Sequence, residues 1–424
     1  MATGALPFDE LLSFVVDNRG RTCPTARTGL PLIATNCISN QHLYPNKENV
    51  RFVDQDTYTN WFRAHPEPGD IIFVLKGAPG RCALVPNPVD FCIAQDMVAV
   101  RADREKIDPK YLFAALRSPL IQDSIDRMHV GTMIPHFKKG DFNKLQIPVP
   151  DRPIQEFIGN VHMALVEKIE LNRRMNETLE AMTRAIFKDW FVDFGPTRAK
   201  MEGRAPYLAP DIWSLFPDRL DDEGKPEGWS VRPLDQVADF LNGLALQKYP
   251  ANGADSLPVI KIAQLRAASV ASADRASTEI PQGYVVEDGD VLFSWSGSLL
   301  HRVWTAGRGA LNQHLFKVTS EQFPKWFFFH WITEHMPAFR ATAASKATTM
   351  GHIQRHHLTQ ADTFIGTSAV MKVADELIAP LFNRQIANDL ESRTLAATRD
   401  LLLPKLMSGE ARFKDAEKLV GEAT

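Results

Sequence analysis

The chain has 424 residues, which is enough for two to four domains with substantial hydrophobic cores. Its content of 44% hydrophobic and 23% charged residues is typical of a folded globular protein and argues against a disordered chain. The formal net charge of −3 argues against a protein that holds DNA unaided through an overall basic surface, so DNA binding would need local basic loops or a partner that contributes phosphate contacts.

The first residues, MATGALPFDELLSF, lack the basic start and the long apolar core of a signal peptide. No run reaches the roughly 18 apolar residues of a membrane span. The expected location is therefore the cytoplasm, without membrane contact. Cys23, Cys37, Cys82 and Cys92 form no CxxC pair, so reduced, partly buried thiols are expected rather than a zinc site or disulfides.

Residues 1–150 are predicted to form a mixed α/β module. A short helix or strand leads into a polar loop, Asp17 to Arg21, and strands follow in LPLIAT, GDIIFVL and MVAVRA. The run DPKYLFAALRSPLIQDSIDRM predicts a helix pair with Asp108 as N-cap and Pro109 at the first helical position. The module ends in the extended run IPVP.

Residues 154–191 predict one long helix, since apolar side chains recur at alternating steps of four and three. About 35 helical residues would span about 50 Å, far more than an average globular helix. Lys168 and Asn172 interrupt the apolar stripe in its middle. Such a stripe needs a partner.

Pro, Gly and charged residues predict an extended linker over 195–228, followed by a second module over 229–370. This module has strands in LPVIKI and EDGDVLFSWSG and a helix in PKWFFFHWITEHMPAFRAT. A second long helix follows in the region 371–424, with an expected end at Leu403 because Pro404 comes next.

The second half of the chain repeats the first. Gly69-Asp70 before IIFVL recurs as Gly289-Asp290 before VLFSW, Gln95 recurs as Gln313, and Met133 recurs as Met350. The two long helices match in register, and we predict that they pair through these residues: Leu165, Asn172, Leu179 and Ile186 with Leu381, Asn388, Leu395 and Leu402. Asn172 and Asn388 could fix the register of this pair as buried polar residues, or could face water or a partner subunit.

The search for catalytic motifs finds none. The sequence contains no GxxxxGK[ST] phosphate loop, no GxGxxG after a strand, no GxSxG and no HExxH. Asn87-Pro88-Val89-Asp90 shares only its first two residues with the methyltransferase motif Asn-Pro-Pro-Tyr and is interpreted as a turn. His352, His356 and His357 have no carboxylate at a useful spacing, so we predict no metal site and no catalytic residue.

Several loops contain the residue types that contact base edges and phosphates. Composition alone is also consistent with solvated loops, but two of the clusters recur: Lys76 and Arg81 with His301 and Arg302, and His136 to Lys139 with His352 to Arg355. The candidate DNA contacts are Asn18, Arg19, Arg21, Lys76, Arg81, His136, Lys138, Lys139, Gln247, Lys248, Lys261, Arg266, His301, Arg302, Lys346, His352 and Arg355.

The runs LEAMTRAIFKDWFVDFGPTRAKMEG, PEGW at 226–229 and LLLPKLMSGEARF resemble the specificity subunit of type I restriction-modification systems. The resemblance covers the whole architecture. It implies an α+β protein in which two globular mixed α/β target-recognition domains, 1–150 and 229–370, are separated by two long antiparallel conserved helices. These helices, in regions 151–194 and 371–424, would give the molecule pseudo-two-fold symmetry.

The same resemblance implies a non-catalytic subunit that reads a bipartite site in double-stranded DNA, one half per recognition domain. Two methyltransferase subunits would bring S-adenosylmethionine, flip the target adenine and methylate it. Endonuclease and translocase subunits, which use ATP and magnesium, would cleave unmodified DNA. No cofactor is expected in this chain.

The helices would then set the distance between two DNA-reading domains, and we hypothesise that helix length determines the number of spacer base pairs. Other hypotheses remain: a specificity subunit of another multisubunit or orphan methylation system, a self-contained DNA methyltransferase or nuclease, and a structural coiled-coil adaptor. The recognised bases do not follow from the sequence.

Overall fold

The structure, a computed structural model, describes residues 4–18, 20, 22–128, 135–251, 255–345 and 351–410. The chain forms two compact units. The first contains the described residues up to Asn172 together with those from Glu391 onward, and the second runs from Arg173 to Leu390. Each long helix is therefore divided between the two units.

The first unit is built from three small sheets with helices packed beside them. The central sheet has the antiparallel order β2-β8-β5-β6, a second has the order β4-β3-β7 with β3 and β7 parallel, and β1 pairs with β9. The strands are β1 (Gly4–Pro7), β2 (Leu12–Val16), β3 (Leu30–Ile33), β4 (Arg51–Val53), β5 (Ile71–Val74), β6 (Cys82–Leu84), β7 (Cys92–Ile93), β8 (Met97–Ala102) and β9 (Gln146–Val149). The short helices are α1 (Gln55–Asn60), α2 (Pro109–Arg117) and α3 (Pro119–Met128).

Local sequence signals explain these elements. The carboxylate of Asp108 accepts a hydrogen bond from the backbone N–H of Tyr111 at 2.9 Å, and Pro109 occupies the first helical position of α2, which confirms the predicted cap. All four residues of β5 are buried, as expected for a β-branched and aromatic strand in the middle of a sheet.

Helix α4 (Arg152–Phe187) continues into a π-helical turn, Lys188–Val192. The segment 195–228 is not extended throughout, because it forms α5 (Gly195–Met201) and α6 (Pro210–Trp213). The side chain of Phe216 from this segment is buried and packs edge-on against Trp190. Its apolar residues thus join the core of the second unit, which a count of Pro, Gly and charged residues does not show.

The second unit repeats the plan of the first. Its sheets have the orders β11-β18-β15-β16 and β13-β12-β17-β14, with β12 and β17 parallel, and β10 pairs with β19. The strands are β10 (Ser230–Pro233), β11 (Asp239–Asn242), β12 (Ser256–Ile260), β13 (Arg275–Ser277), β14 (Val285–Val286), β15 (Val291–Ser294), β16 (His301–Val303), β17 (Gly309–Leu311), β18 (Leu315–Thr319) and β19 (Asp362–Ile365). The helices are α7 (Leu234–Val237), α8 (Ile262–Ala267), α9 (Lys325–Ser345), α10 (Arg355–Thr359) and α11 (Ser368–Ser408).

The Gly-Asp turn before the central strand has the same geometry in both units. Asp70 accepts the backbone N–H of Glu67 at 2.8 Å, and Asp290 accepts that of Glu287 at 2.8 Å. The preceding glycines have φ of 86° and 91°, a region in which a side chain is strained. Each carboxylate also forms an ion pair with a basic side chain on the neighbouring strand, Asp70 with Arg101 on β8 and Asp290 with Lys317 on β18. Equivalent strands, turns and ion pairs support the duplication inferred from the sequence.

The first half of α4 packs antiparallel to the end of α11 within the first unit. Asn172 is fully buried, and its amide donates to the carboxylate of Glu391 at 2.7 Å and to the hydroxyl of Ser392 at 3.3 Å. Lys168 forms an ion pair with the same glutamate at 3.2 Å. Leu165, Leu395 and Leu402 are buried.

The remaining halves of the two helices pair in the same way within the second unit. Asn388 is fully buried and donates to the side-chain oxygen of Asn176 at 2.8 Å. Leu179 is buried, and Ile186 and Leu381 are partly buried. Asn172 and Asn388 therefore meet equivalent positions of the opposite helix, and neither faces water.

Helix α11 runs through Pro404 to Ser408, so the expected end at Leu403 was wrong. Proline removes one backbone hydrogen bond of a helix. Burial of Leu403 and Leu406 in the hydrophobic core of the first unit offsets that loss.

All four cysteines are buried and none forms a disulfide. Within the part of the chain that the structure describes, no helix is both long and apolar enough to cross a membrane.

Candidate nucleic-acid interface

The first unit has an open cleft of about 490 Å³ at one end of its central sheet. Four separate segments supply its walls, which are lined by Gly20, Thr22, Leu75, Lys76, Gln95, Asp96 and His136. We call it the first cleft. Two candidate residues from distant parts of the sequence, Lys76 and His136, thus come together.

Backbone hydrogen bonds fix the geometry of the first cleft. The backbone N–H of Leu75 donates to the backbone carbonyl of Asp96 at 3.0 Å, and that of Phe137 donates to the backbone carbonyl of Leu75 at 2.8 Å. Gly77 donates to Pro135 at 2.9 Å, which places Lys76 and His136 opposite each other in a short antiparallel bridge. The cleft is therefore preformed by the main chain, while its side chains are free to vary.

Other candidates of the first unit lie around this cleft in different environments. Lys139 forms an ion pair with Asp17 at 3.1 Å, whereas Lys138 and Arg81 are exposed. Asn18 is buried: its amide donates to the carbonyl of Ala64 at 3.0 Å and accepts the N–H of Arg63 at 2.8 Å. Asn18 thus anchors its loop. Arg19 and Arg21 lie outside the described residues.

The second unit places different side chains on the same framework. The backbone N–H of Gly297 donates to the carbonyl of Gly351 at 2.8 Å, and that of Ile353 donates to the backbone carbonyl of Trp295 at 3.0 Å. Ser296 and His352 therefore form an antiparallel bridge. This bridge matches that of Lys76 and His136, so His352 occupies the position of His136. We call the surface around it the second cleft.

Aromatic and neutral polar groups dominate the second cleft. The indole N–H of Trp295 donates to the side chain of Asn242 at 2.8 Å, and its ring lies 5.8 Å from that of His314. The hydroxyl of Ser296 lies 3.1 Å from Nδ1 of His314. His314 stands where the first unit has Asp96, so an imidazole in the second cleft replaces a carboxylate in the first.

Lys139 and Arg355 end the two recurring basic clusters, and both have the same structural role. Arg355 donates to the carbonyl of Phe240 on β11 at 3.1 Å, and its guanidinium lies 5.8 Å from the ring of Phe316. Lys139 makes its ion pair with Asp17, just after β2. Both therefore tie the segment behind the cleft to the first strand of the central sheet.

The correspondence of Lys76 and Arg81 with His301 and Arg302 was wrong, because Lys76 matches Ser296. His301 lies on β16 opposite Phe293, where the first unit has Cys82 opposite Phe73. Its ring bonds Thr333 of α9 at 2.8 Å, and burial lowers its pKa to about 4 with a smaller effect of Arg340. His301 is partly buried, and its ring packs against Phe329 at 4.7 Å.

The other candidates of the second unit lie on other segments than the bridge. Gln247 and Lys248 are exposed on a short 3-10 helix, Leu246–Lys248, and Lys261 forms an ion pair with Asp274. Arg302 donates to the carbonyls of Leu265 and Arg266 at 3.3 and 3.4 Å, so these two arginines lie together. Lys346 lies outside the described residues.

Sequence reasoning missed the residues that line the clefts beside the recurring histidines. Gln95 and Gln313 were recognised only as markers of the repeat, while Asp96, His314 and Trp295 carried no motif. Asp96 and His314 directly follow Gln95 and Gln313 in the runs IAQD and LNQH, so the matched glutamines already marked these two positions as equivalent.

Among the residues that the structure describes, no group of three or more His, Cys, Asp or Glu side chains is arranged to hold a metal ion. His356 and His357 lie side by side, with ring centroids 3.9 Å apart.

Comparisons with known proteins agree with this architecture. Residues 27–181 match the family model described as the type I restriction modification DNA specificity domain. The chain is 22% identical over 402 residues to the type I restriction enzyme HindI specificity subunit of Haemophilus influenzae, covering 81% of this chain and 86% of that protein. It is 21% identical over 396 residues to the MjaIX specificity subunit of Methanocaldococcus jannaschii, covering 91% and 88%.

A crystal structure of the type I restriction-modification system S subunit from M. genitalium has the same fold. Its TM-score is 0.55 at 14% identity, and the alignment covers 96% of each chain. Over most of its length the chain is thus similar to specificity subunits of type I restriction enzymes, and it shares the fold of an S subunit.

Proposed function

We propose that the chain is the DNA-reading subunit of a type I restriction-modification enzyme. It binds a bipartite site in double-stranded DNA and directs adenine methylation and restriction by partner subunits. The chain itself performs no catalysis. Two methyltransferase subunits supply S-adenosylmethionine, endonuclease and translocase subunits use ATP and magnesium, and the complex acts in the cytoplasm.

One observation carries this proposal: the same main-chain framework supports different side chains in the two units. The bridge pairs Lys76 with His136 in the first cleft and Ser296 with His352 in the second. Two copies of one catalytic site would be expected to keep their reactive groups, whereas two readers of different half-sites need different ones. The variation is therefore the property that sequence recognition requires.

The side chains suit the two tasks of a DNA reader. Lys76, Lys138 and Arg81 are exposed cations that can contact phosphates, which fix the register of a protein on the duplex. Gln95 and Gln313 are amides that can both donate to and accept from a base edge in the major groove. The exposed Gln247, Lys248, Arg266 and Arg302 extend the same kinds of contact in the second unit.

We assign the recognition domains to 1–150 and 229–370 and the conserved helices to 151–194 and 371–424, joined by the segment 195–228. The pairing of Asn172 and Asn388 with equivalent positions of the opposite helix supports this division, because both units then use one helical scaffold.

The decisive test is to map methylated adenines in the DNA of cells that contain the full chain and its methyltransferase partner. Gln95→Ala is expected to relax the sequence at one half-site only, and Gln313→Ala at the other only. Loss of one good base contact reduces discrimination by about 1–3 kcal/mol. Gln322→Ala is the matched control, because Gln322 is exposed beyond the opposite end of β18.

Lys76→Ala is expected to weaken binding to all DNA sequences alike. It should also reduce the slope of log K against log salt concentration by about one. Lys106→Ala serves as control, since Lys106 follows the opposite end of β8. Unchanged methylation sites in both glutamine variants would refute these clefts as the readers. Binding of S-adenosylmethionine by the chain alone would favour a self-contained methyltransferase instead.

A further inference from the structure

A small pocket in the first unit is lined by basic side chains that come from three helices. Arg117 ends α2, His162 lies on α4 and Arg399 lies on α11. The pocket has a volume of about 130 Å³ and is further lined by Asn40, Pro119, Asp400, Leu403 and Pro404. It shares no lining residue with the first cleft.

The polar atoms of this pocket are incompletely satisfied. Nη2 of Arg117 donates to the carbonyls of His42 and Cys82, but its Nε and Nη1 are buried without a hydrogen-bond partner. His162 is 2% exposed, and neither of its ring nitrogens has a partner. Buried donors of a charged group are almost always paired, so these atoms point to a ligand that accepts hydrogen bonds.

The charges of the pocket are also unbalanced. Arg117 and Arg399 both lower the pKa of His162 after the larger effect of burial, and Arg399 lowers that of Arg117 in the same way. Asp400 is the carboxylate among the described lining residues. It is 67% exposed and bonds Nε of Arg399 at 2.8 Å, which leaves the charge of Arg117 without a nearby anion in the lining.

The duplicated unit shows that the fold itself does not require this cluster. Thr333 contacts β16 as Arg117 contacts β6, and the helix register places Ile378 and Thr183 where the first unit has His162 and Arg399. The same three-helix junction is thus formed in the second unit without a basic residue at any of these positions. The second unit has basic side chains of its own near Thr333, but they come from other positions, namely His301, His330 and Arg184.

We propose that this pocket binds a small tetrahedral oxyanion such as inorganic phosphate. The volume equals that of about four water molecules, which a single small oxyanion fits. The guanidinium presents several donors in a fixed plane, a geometry that matches phosphate. The bound anion links α2 of the globular part to α4 and α11.

Thermal unfolding of the full chain in inorganic phosphate, compared with sodium chloride at equal ionic strength, tests the proposal. At a phosphate concentration about five times the dissociation constant, the midpoint is expected to rise by about 2–4 °C. Hydrogen exchange should show the added protection around Arg117, His162 and Arg399. No rise beyond that in chloride, or protection confined to other segments, would overturn the proposal.

Arg399→Gln is expected to weaken phosphate binding at least tenfold, and Arg399→Lys, which keeps the charge, should bind with intermediate affinity. Arg384→Gln is the matched control, since it removes the same charge from an exposed position of the same helix in the second unit. An equal phosphate response in Arg399→Gln and Arg384→Gln would contradict the assignment. Acetate at the same ionic strength should give a smaller rise, and a rise with acetate alone would exclude a tetrahedral oxyanion.

Discussion

Replacing His330 with phenylalanine should make the second unit less sensitive to acid. His330 is 3% exposed, its ring stacks on Phe187 at 5.1 Å, and its Nε2 has no hydrogen-bond partner. Burial lowers its pKa to about 3, and the neighbouring His301 and Arg184 lower it further. A phenyl ring keeps the aromatic contact and cannot be protonated.

The expected magnitude follows from proton linkage. An unfolded histidine has a pKa near 6.5, so between about pH 6.5 and 3 the unfolded chain binds more protons than the folded one. Stability from a neutral His330 is therefore fully present above pH 6.5 and decreases as the pH falls. At pH 5, about 1.5 units below the unfolded pKa, the loss is about 2 kcal/mol.

Urea unfolding at pH 7 and pH 5, followed by tryptophan fluorescence, measures this effect. The signal reports mainly the second unit, because Trp61 is the single tryptophan of the first and the other seven of the eight lie between Arg173 and Leu390. His330→Phe should lose about 2 kcal/mol less than the unmodified chain between these pH values. His356→Gln, at an exposed position, is the control. An identical loss in His330→Phe and the unmodified chain would show that His330 is not buried in its neutral form.

Three further predictions follow from contacts in the two units. Asn172→Ala removes a hydrogen bond to a carboxylate and should lower the free energy of unfolding by about 1–2.5 kcal/mol, after allowance for the higher helix propensity of alanine. Asn388→Ala removes a hydrogen bond between neutral groups and should lower it by about 1 kcal/mol or less. The reverse order in urea unfolding would contradict the assigned partners. Burial raises the pKa of Cys82 to about 12, so its reaction with a thiol reagent at pH 8 should be slow until the chain is unfolded, and rapid labelling of the folded chain would argue against its position. Phe187→Ala should cost about 3–5 kcal/mol in equilibrium unfolding, because the fully buried ring contacts several aromatic side chains; a loss below about 1 kcal/mol would exclude that packing.

Helix length and helix register followed from the sequence because both depend on local spacing. The apolar steps of four and three predicted a helix over 154–191, and the structure has it from Arg152 to Phe187. The end of the second helix did not follow, since Pro404 is a local signal to stop. Tertiary burial of Leu403 and Leu406 outweighs that signal.

The candidate site was predictable in its framework and only in part in its side chains. The recurrence of His136 as His352 was visible in the sequence, and both residues lie at the same bridge. His301 was predicted to lie in a loop that contacts DNA, because in the sequence it is a polar residue near a glycine. Only the pairing of β16 with β15, and the contact with Thr333, shows that it faces the core.

The sequence alone determined the duplication, the two long helices and the resemblance to specificity subunits, because repeats, periodic apolar residues and short distinctive runs are all properties of neighbouring residues. The tertiary structure decided which polar groups share a cleft and which are buried together. Lys76 and His136, or Arg117, His162 and Arg399, meet only after strands pair and helices pack. Such contacts join positions far apart in the chain, and no local spacing rule encodes them.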